Sequence, residues 1–236
     1  MSKIQIHIVK RLLIGVLLTL CLVGCTGLSE KPEQLAQQEK AERPIPTLDY
    51  IEVLTGEARA EEELPMVVIV HGLGDQPESF VSFMKVLKEK VRVILPRGPM
   101  PWGEGFAWFG RSTKGNWDEL SPGMADSAKR LALLLARLVG LKPTRGRPIL
   151  TGFSQGGMLS YAVATAYPET IGLAVPISGL LPKPLWPAKK QARLVYPQIR
   201  ALHGRADGIV PIVHARDTVT HLQKIGLDAT LEEYPL

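Results

Sequence analysis

Pro148-Ile149-Leu150-Thr151-Gly152-Phe153-Ser154-Gln155-Gly156-Gly157-Met158 is the stretch from which the fold can be read. An apolar run leads into it, a helix-like stretch from Met158 to Tyr167 leads out, and Ser154 stands between two glycines. A serine at this spacing fits a tight strand-to-helix turn, because neither flanking residue adds a side chain against the strained backbone. Its hydroxyl then stands at a helix N-terminus, where backbone N–H groups and the positive end of the helix dipole favour a developing oxyanion. The pentapeptide is short and recurs by chance. Its weight comes from the strand before it, the helix after it and the partners found elsewhere.

Working outward, Met66-Val67-Val68-Ile69-Val70 is a continuous β-branched run, the pattern of a strand buried on both faces of a parallel sheet. It delivers His71-Gly72-Leu73-Gly74-Asp75 at its carboxyl end. Further strands are expected at Tyr50 to Leu54, Val91 to Leu95, Ile171 to Ile177, Ile199 to Leu202 and Asp228 to Tyr234. Helices are expected from Pro77 to Lys90, with Phe80, Phe83, Met84 and Leu87 on one side, and from Pro211 to Ile225. Between them Ser121-Pro122 caps an amphipathic helix whose apolar face is Ala128, Leu131, Ala132, Leu135, Leu138 and Val139. Strands alternating with helices predict a mostly parallel α/β sheet with helices on both faces and its site along the strands' carboxyl edge. The long loop from Pro96 to Trp117 carries Trp102, Phe106, Trp108, Phe109 and Trp117, and its part around Trp102 and Trp108 reads as the wall of an apolar acyl pocket or else as core.

The 236 residues, 45% apolar and 22% charged, suffice for one sizeable domain. The N-terminus stands apart from it. Lys3, Lys10 and Arg11 precede an apolar run from Leu12 to Val23, the make-up of a secretory signal peptide and shorter than a membrane span. Leu22-Val23-Gly24-Cys25 resembles a bacterial lipoprotein processing signal, which implies cleavage after residue 24, lipid on Cys25 and a place in the bacterial envelope, facing the periplasm or exterior. Residues 25–47 read as the lipidated cysteine and a flexible tether, and 48–236 as the α/β domain. The 21 residues from Thr26 to Pro46 would reach on the order of 25 Å as a random coil. Both cysteines lie at or before Cys25, so no disulfide, thiol nucleophile or thiolate metal site is expected in the domain. Removing residues 1–24 takes away three positive charges and no acidic ones, lowering the formal charge from +5 to 5 − 3 = +2. Nucleic-acid binding therefore gains no support.

A nucleophilic serine needs a base, and the base needs an acid to hold its tautomer. Asp207, in the turn His203-Gly204-Arg205-Ala206-Asp207-Gly208-Ile209-Val210-Pro211 after a strand, suits the acid. Its other reading is a turn or capping aspartate. Together with Leu95-Pro96-Arg97-Gly98-Pro99, Ala107-Trp108-Phe109 and Ile177-Ser178-Gly179, these motifs resemble the phospholipase/carboxylesterase family of small serine hydrolases, which includes acyl-protein thioesterases. The resemblance covers about residues 65–236 and implies an α/β-hydrolase fold. It further implies Ser154 as nucleophile, Asp207 as acid, and the backbone N–H groups of Leu73 and Gln155 as the oxyanion hole, in an enzyme acting on small-molecule esters or thioesters. This chemistry needs no cofactor and no metal.

In that family the catalytic histidine follows the last strand, a few residues after a Tyr-Pro pair. Here Tyr234-Pro235-Leu236 closes the sequence. The base, and the helix that in the family follows it and covers one sheet face, are therefore expected beyond residue 236. The alternative is a non-catalytic envelope protein that keeps the pocket and binds ligand without turnover. His71 is a second candidate base, or else it positions the oxyanion loop. His203 is expected to pack in its own turn. His214, Asp217 and His221 share one helix face, read as solvated rather than metal-binding. Trp186 with Lys183, Lys189, Lys190 and Arg193 suggests either a lipid-docking patch or a solvated basic loop.

Overall fold

The β-branched runs become strands because a pleated surface buried on both sides favours side chains that are stiff at the β-carbon. The computed structural model describes residues 47–84, 86–112 and 115–235. The residues read as a lipoprotein signal, with Cys25 and the expected tether up to residue 46, lie outside the described residues. Nine strands appear in chain order among them: β1 (Tyr50–Leu54), β2 (Met66–Val70), β3 (Arg92–Pro96), β4 (Met100–Trp102), β5 (Gly105–Ala107), β6 (Ile149–Phe153), β7 (Leu173–Ile177), β8 (Gln198–Gly204) and β9 (Ala229–Tyr234). The helices are α1 (Glu78–Met84), α2 (Ser121–Leu141), α3 (Gln155–Ala166) and α4 (Ile212–Lys224).

Seven strands form one sheet in the order β1-β3-β2-β6-β7-β8-β9. Only β1 runs antiparallel to its neighbour. The strand order reverses between β2 and β6, and such a switch point leaves a crevice at the carboxyl ends of the strands. His71 to Asp75 leave β2 there, and Ser154 leaves β6 beside them.

The two faces of the sheet differ. Val68, Val70, Leu150, Ala174, Ile199 and Ala201 are fully buried on the face that carries α3 and α4, with α2 packed on α3. Val67, Ile69, Thr151, Leu173 and Val175 point to the other face and are only half-buried, and Phe153 is 54% exposed. Among the described residues that face carries only α1, whose seven residues include none that is buried. The expected helix from Pro77 to Lys90 is therefore shorter. Phe83, Val86 and Leu87 stay exposed, and beyond Met84 the backbone shows only tight turn bonds, Val86 N–H to Phe83 and Leu87 N–H to Met84. Without an apolar face buried against a neighbour, helical propensity alone does not sustain further turns. The strand expected at Ile199 to Leu202 instead runs from Gln198 to Gly204, and so includes His203.

At the sheet's edge, Arg92 is fully buried at the start of β3. Its Nε donates to Glu52 at 2.8 Å, and its two terminal nitrogens donate to the carbonyls of Pro143 and Ala60, each at 2.6 Å. Lys142 holds the second Glu52 oxygen. Burial alone would raise the Glu52 pKa, but Lys142 and Arg92 more than offset it and the carboxyl titrates below its usual range. One guanidinium thus joins β1, β3 and two connecting loops. Arg92→Met is expected to destabilise the domain by about 3–5 kcal/mol, because it strands buried partners. Urea unfolding measures this as a lowered midpoint with an unchanged slope.

Candidate active site

The turn at Ser154 has φ 54° and ψ −113°, a backbone region that side-chain-bearing residues rarely adopt. The fold holds it there from both sides: Ser154 N–H donates to Ile177 at 3.0 Å, and its carbonyl accepts Met158 N–H at 2.9 Å. The flanking glycines have a packing role as well as a conformational one. A β-carbon at Gly156 would overlap the Val70 carbonyl oxygen, and one at Gly152 would lie 2.6 Å from the same atom. The start of α3 therefore sits directly against β2, which brings the loop after β2 to the serine. A β-carbon built on Gly72 would lie 3.7 Å from Ser154 Cβ.

Leu73, Ser154 and Gln155 share one cavity of about 320 Å³, walled by Phe109, Trp117, Leu120, Met158, Ile209 and Val210. Among the described residues neither the Leu73 nor the Gln155 N–H donates to a backbone carbonyl. Both are unengaged donors beside the serine, as an oxyanion hole requires. Asp207 lies in the turn whose next three residues line the same cavity. Its Oδ1 accepts the N–H groups of Ile209 and Val210, both at 2.9 Å, and its Oδ2 lies 3.5 Å from His203 Nε2.

None of the four described histidines lines this cavity. His71 is buried with both ring nitrogens engaged: Nε2 accepts Gly98 N–H at 2.9 Å, and Nδ1 lies 2.7 Å from the Gly72 carbonyl. A carbonyl can only accept, so Nδ1 carries the hydrogen and the ring is neutral. His71 is thereby a loop-positioning residue in its geometry, and no nitrogen is left to face Ser154. His203 Nε2 donates to the Val210 carbonyl at 2.8 Å. His214 meets Trp117 edge-on with ring centroids 5.9 Å apart, and His221 stacks on Trp186 at 4.3 Å. No cluster of three or more potential metal ligands occurs among the described residues. Trp186 also donates its indole N–H to Leu181 at 2.7 Å, so the aromatic member of the suggested lipid-docking patch is engaged within the domain.

Burial pushes the His71 imidazole below its ordinary 6.5, with Arg97 adding to the effect and the Gly72 carbonyl, Asp75 and Glu78 opposing it. In the window below pH 6.5 the unfolded chain binds a proton that the folded chain refuses, so stability falls as pH drops. The loss of stability on acidification is expected to set in near the ordinary histidine value. His71→Asn should flatten the stability–pH curve below about pH 6.5 while lowering its plateau.

Sequence patterns characteristic of the Phospholipase/Carboxylesterase family match residues 51–236. The chain belongs to this family. The sheet, the strained serine turn and the crevice beside it are those of an α/β-hydrolase fold. Lysophospholipase-like protein 1 of Mus musculus is 24% identical over 188 residues, 72% of this chain and 77% of its own. A probable inactive carboxylesterase of Oryza sativa subsp. japonica is 30% identical over 84 residues, so that the match spans 35% of this chain and about a third (34%) of that relative's length. The crystal structure of Zea mays acyl-protein thioesterase 2 superposes with a TM-score of 0.60 at 25% identity, covering 79% of this chain and 89% of the maize chain.

The walls of this cavity differ in part from the sequence reading. Trp108 is 1% exposed and turns its indole inward to the His71 carbonyl at 3.0 Å, so it belongs to the core. Trp102 lies outside the cavity, on the β4–β5 hairpin over Gly74. Phe109 and Trp117 supply the aromatic wall instead. Met158 was legible in principle, since four residues after Ser154 is one helical turn and the same face. The hairpin was not: it is bonded to the oxyanion loop through Gly74 N–H to Phe106 at 2.8 Å and Phe106 N–H to Asp75 at 3.0 Å, contacts with no local signal.

Proposed function

We propose that this protein is a serine hydrolase of carboxylic esters or thioesters, working through an acyl-enzyme and tethered to the bacterial envelope by a lipid on Cys25. The observation that carries the catalytic part is the strained turn that presents Ser154 in an apolar cavity beside the unengaged N–H groups of Leu73 and Gln155. Ser154 Oγ attacks the carbonyl carbon while an imidazole takes its proton. The oxyanion accepts hydrogen bonds from Leu73 and Gln155. Collapse breaks the bond to the alcohol or thiol, which leaves with the proton from the imidazole, and water then repeats the sequence on the acyl group. Phe109, Trp117, Leu120 and Met158 favour an apolar acyl chain.

Asp207 orients that imidazole. Because none of the four described histidines lines the cavity, the base in this reading is a histidine carried outside the described residues, following β9. The geometry favours that route. Tyr234 pairs with Gly204 and its carbonyl accepts Arg205 N–H at 2.8 Å, so the backbone leaves β9 beside the turn that holds Asp207. Glu233 is clasped by Arg216 and Arg205, which hold its pKa down to about 2 despite its exposure.

The test compares hydrolysis of short- and medium-chain p-nitrophenyl esters by residues 25–236 and by the same chain carrying the downstream reading frame. Turnover only in the extended protein is the expected result. A folded extended protein that binds such esters without turnover would instead establish the binding-protein reading. Incorporation of labelled lipid, abolished by Cys25→Ala, checks the anchor.

A further inference from the structure

We propose that Trp108 is a positioning residue that locks the two halves of the oxyanion hole into one geometry, an inference that rests on the serine-hydrolase reading above. The two donors come from different elements: Leu73 from the loop after β2, Gln155 from the first turn of α3. The packing of Gly152 and Gly156 against Val70 brings the two elements together, and side-chain bonds then set one donor against the other. Trp108 is bonded to both sides. Its backbone N–H donates to Gln155 Oε1 at 2.9 Å, and its indole N–H donates to the His71 carbonyl at 3.0 Å.

The bridge continues into each donor. On the α3 side, Gln155 Nε2 donates to the Phe109 carbonyl at 2.9 Å, so the residue whose backbone N–H faces the cavity also grips the strand end that carries Trp108. On the other side, the His71 ring lies against the indole with centroids 5.2 Å apart and donates from Nδ1 to the Gly72 carbonyl. That carbonyl and the Leu73 N–H belong to the same planar trans peptide and point in opposite directions. Fixing the Gly72 carbonyl therefore aims the Leu73 N–H. The Trp108 carbonyl in turn accepts Ser127 Oγ at 2.5 Å, which ties the bridge to α2. Every polar group of Trp108 is thus spent on this assembly, in a residue that is 1% exposed.

Trp108→Phe keeps an aromatic ring against His71 and deletes the indole N–H. In the extended protein it is expected to lower kcat about 10-fold, short of the roughly 10²–10³-fold loss from deleting an oxyanion donor outright. KM should change less than about threefold, and binding of an alkyl boronic acid, which mimics the tetrahedral adduct, should weaken in parallel with kcat. The melting temperature should fall by several degrees, because the buried His71 carbonyl loses its donor and a cavity is left where the indole's second ring stood. Gln155→Met breaks the bridge from its other end and carries the same test should Trp108→Phe fail to fold. The double variant should lose no more than the worse single one. Retention of kcat and of boronate affinity by a folded Trp108→Phe or Gln155→Met protein, in an enzyme whose unaltered form turns over, overturns the bridge alone. An unaltered extended protein that neither hydrolyses esters nor labels at Ser154 with a fluorophosphonate overturns the hydrolase reading and the bridge with it.

Discussion

Ser154→Ala in the extended protein is expected to lower ester turnover by about 10⁴–10⁶-fold, because the acyl-enzyme route closes when its nucleophile is removed. What survives reflects the oxyanion donors and the cavity acting on water. The fold should be unaffected. The Ser154 side chain caps no helix N–H, and alanine meets the same backbone strain at φ 54°. Ser154→Gly separates catalysis from stability more sharply. It should be as inactive as alanine, yet more stable by about 1 kcal/mol, since glycine adopts positive φ without the penalty that serine pays. Ester hydrolysis and thermal melting on the three proteins check both halves. A Ser154→Ala protein that keeps more than about a hundredth of the activity would mean that the chemistry runs elsewhere.

The outline of this site was legible because it is built from short-range rules. Glycines around Ser154, a β-branched run before His71 and an aspartate in a turn after β8 each announce their conformation within a few residues. Alternating strands and helices then place all three at one sheet edge. What escaped is non-local. Trp108 and Trp102 are equally aromatic in sequence, but Trp108 meets His71 and Gln155, 37 and 47 residues away, while Trp102 meets none of the cavity. The over-long helix after Pro77 failed for the same reason. Its apolar spacing is regular, but no buried surface receives Phe83 or Val86. His71 was ambiguous until Gly98 and Gly72 were seen to engage both ring nitrogens, and a residue's availability for proton transfer is a property of its neighbours rather than of its type.

Asp207→Asn is the second large effect, and its direction follows from which oxygen is already occupied. Oδ1 accepts the Ile209 and Val210 N–H groups, so an asparagine placed here keeps its carbonyl oxygen on those two donors. The turn should then survive, leaving the NH₂ group at the position of Oδ2. In the hydrolase reading that position accepts the N–H of the base. An NH₂ there presents a donor to a donor, and the imidazole relieves the clash by moving its hydrogen to the other nitrogen, the one that must take the Ser154 proton. The expected loss in kcat is about 10⁴-fold near neutral pH, with stability nearly unchanged and KM altered little. Asp207→Ala should be different in kind. It removes the acceptor for the two turn N–H groups as well, and so lowers stability by about 1–3 kcal/mol along with activity. If Asp207→Asn instead unfolds the domain, or leaves activity within about tenfold of the unaltered enzyme, Asp207 is only a turn residue and the acid must be sought among other groups at this sheet edge.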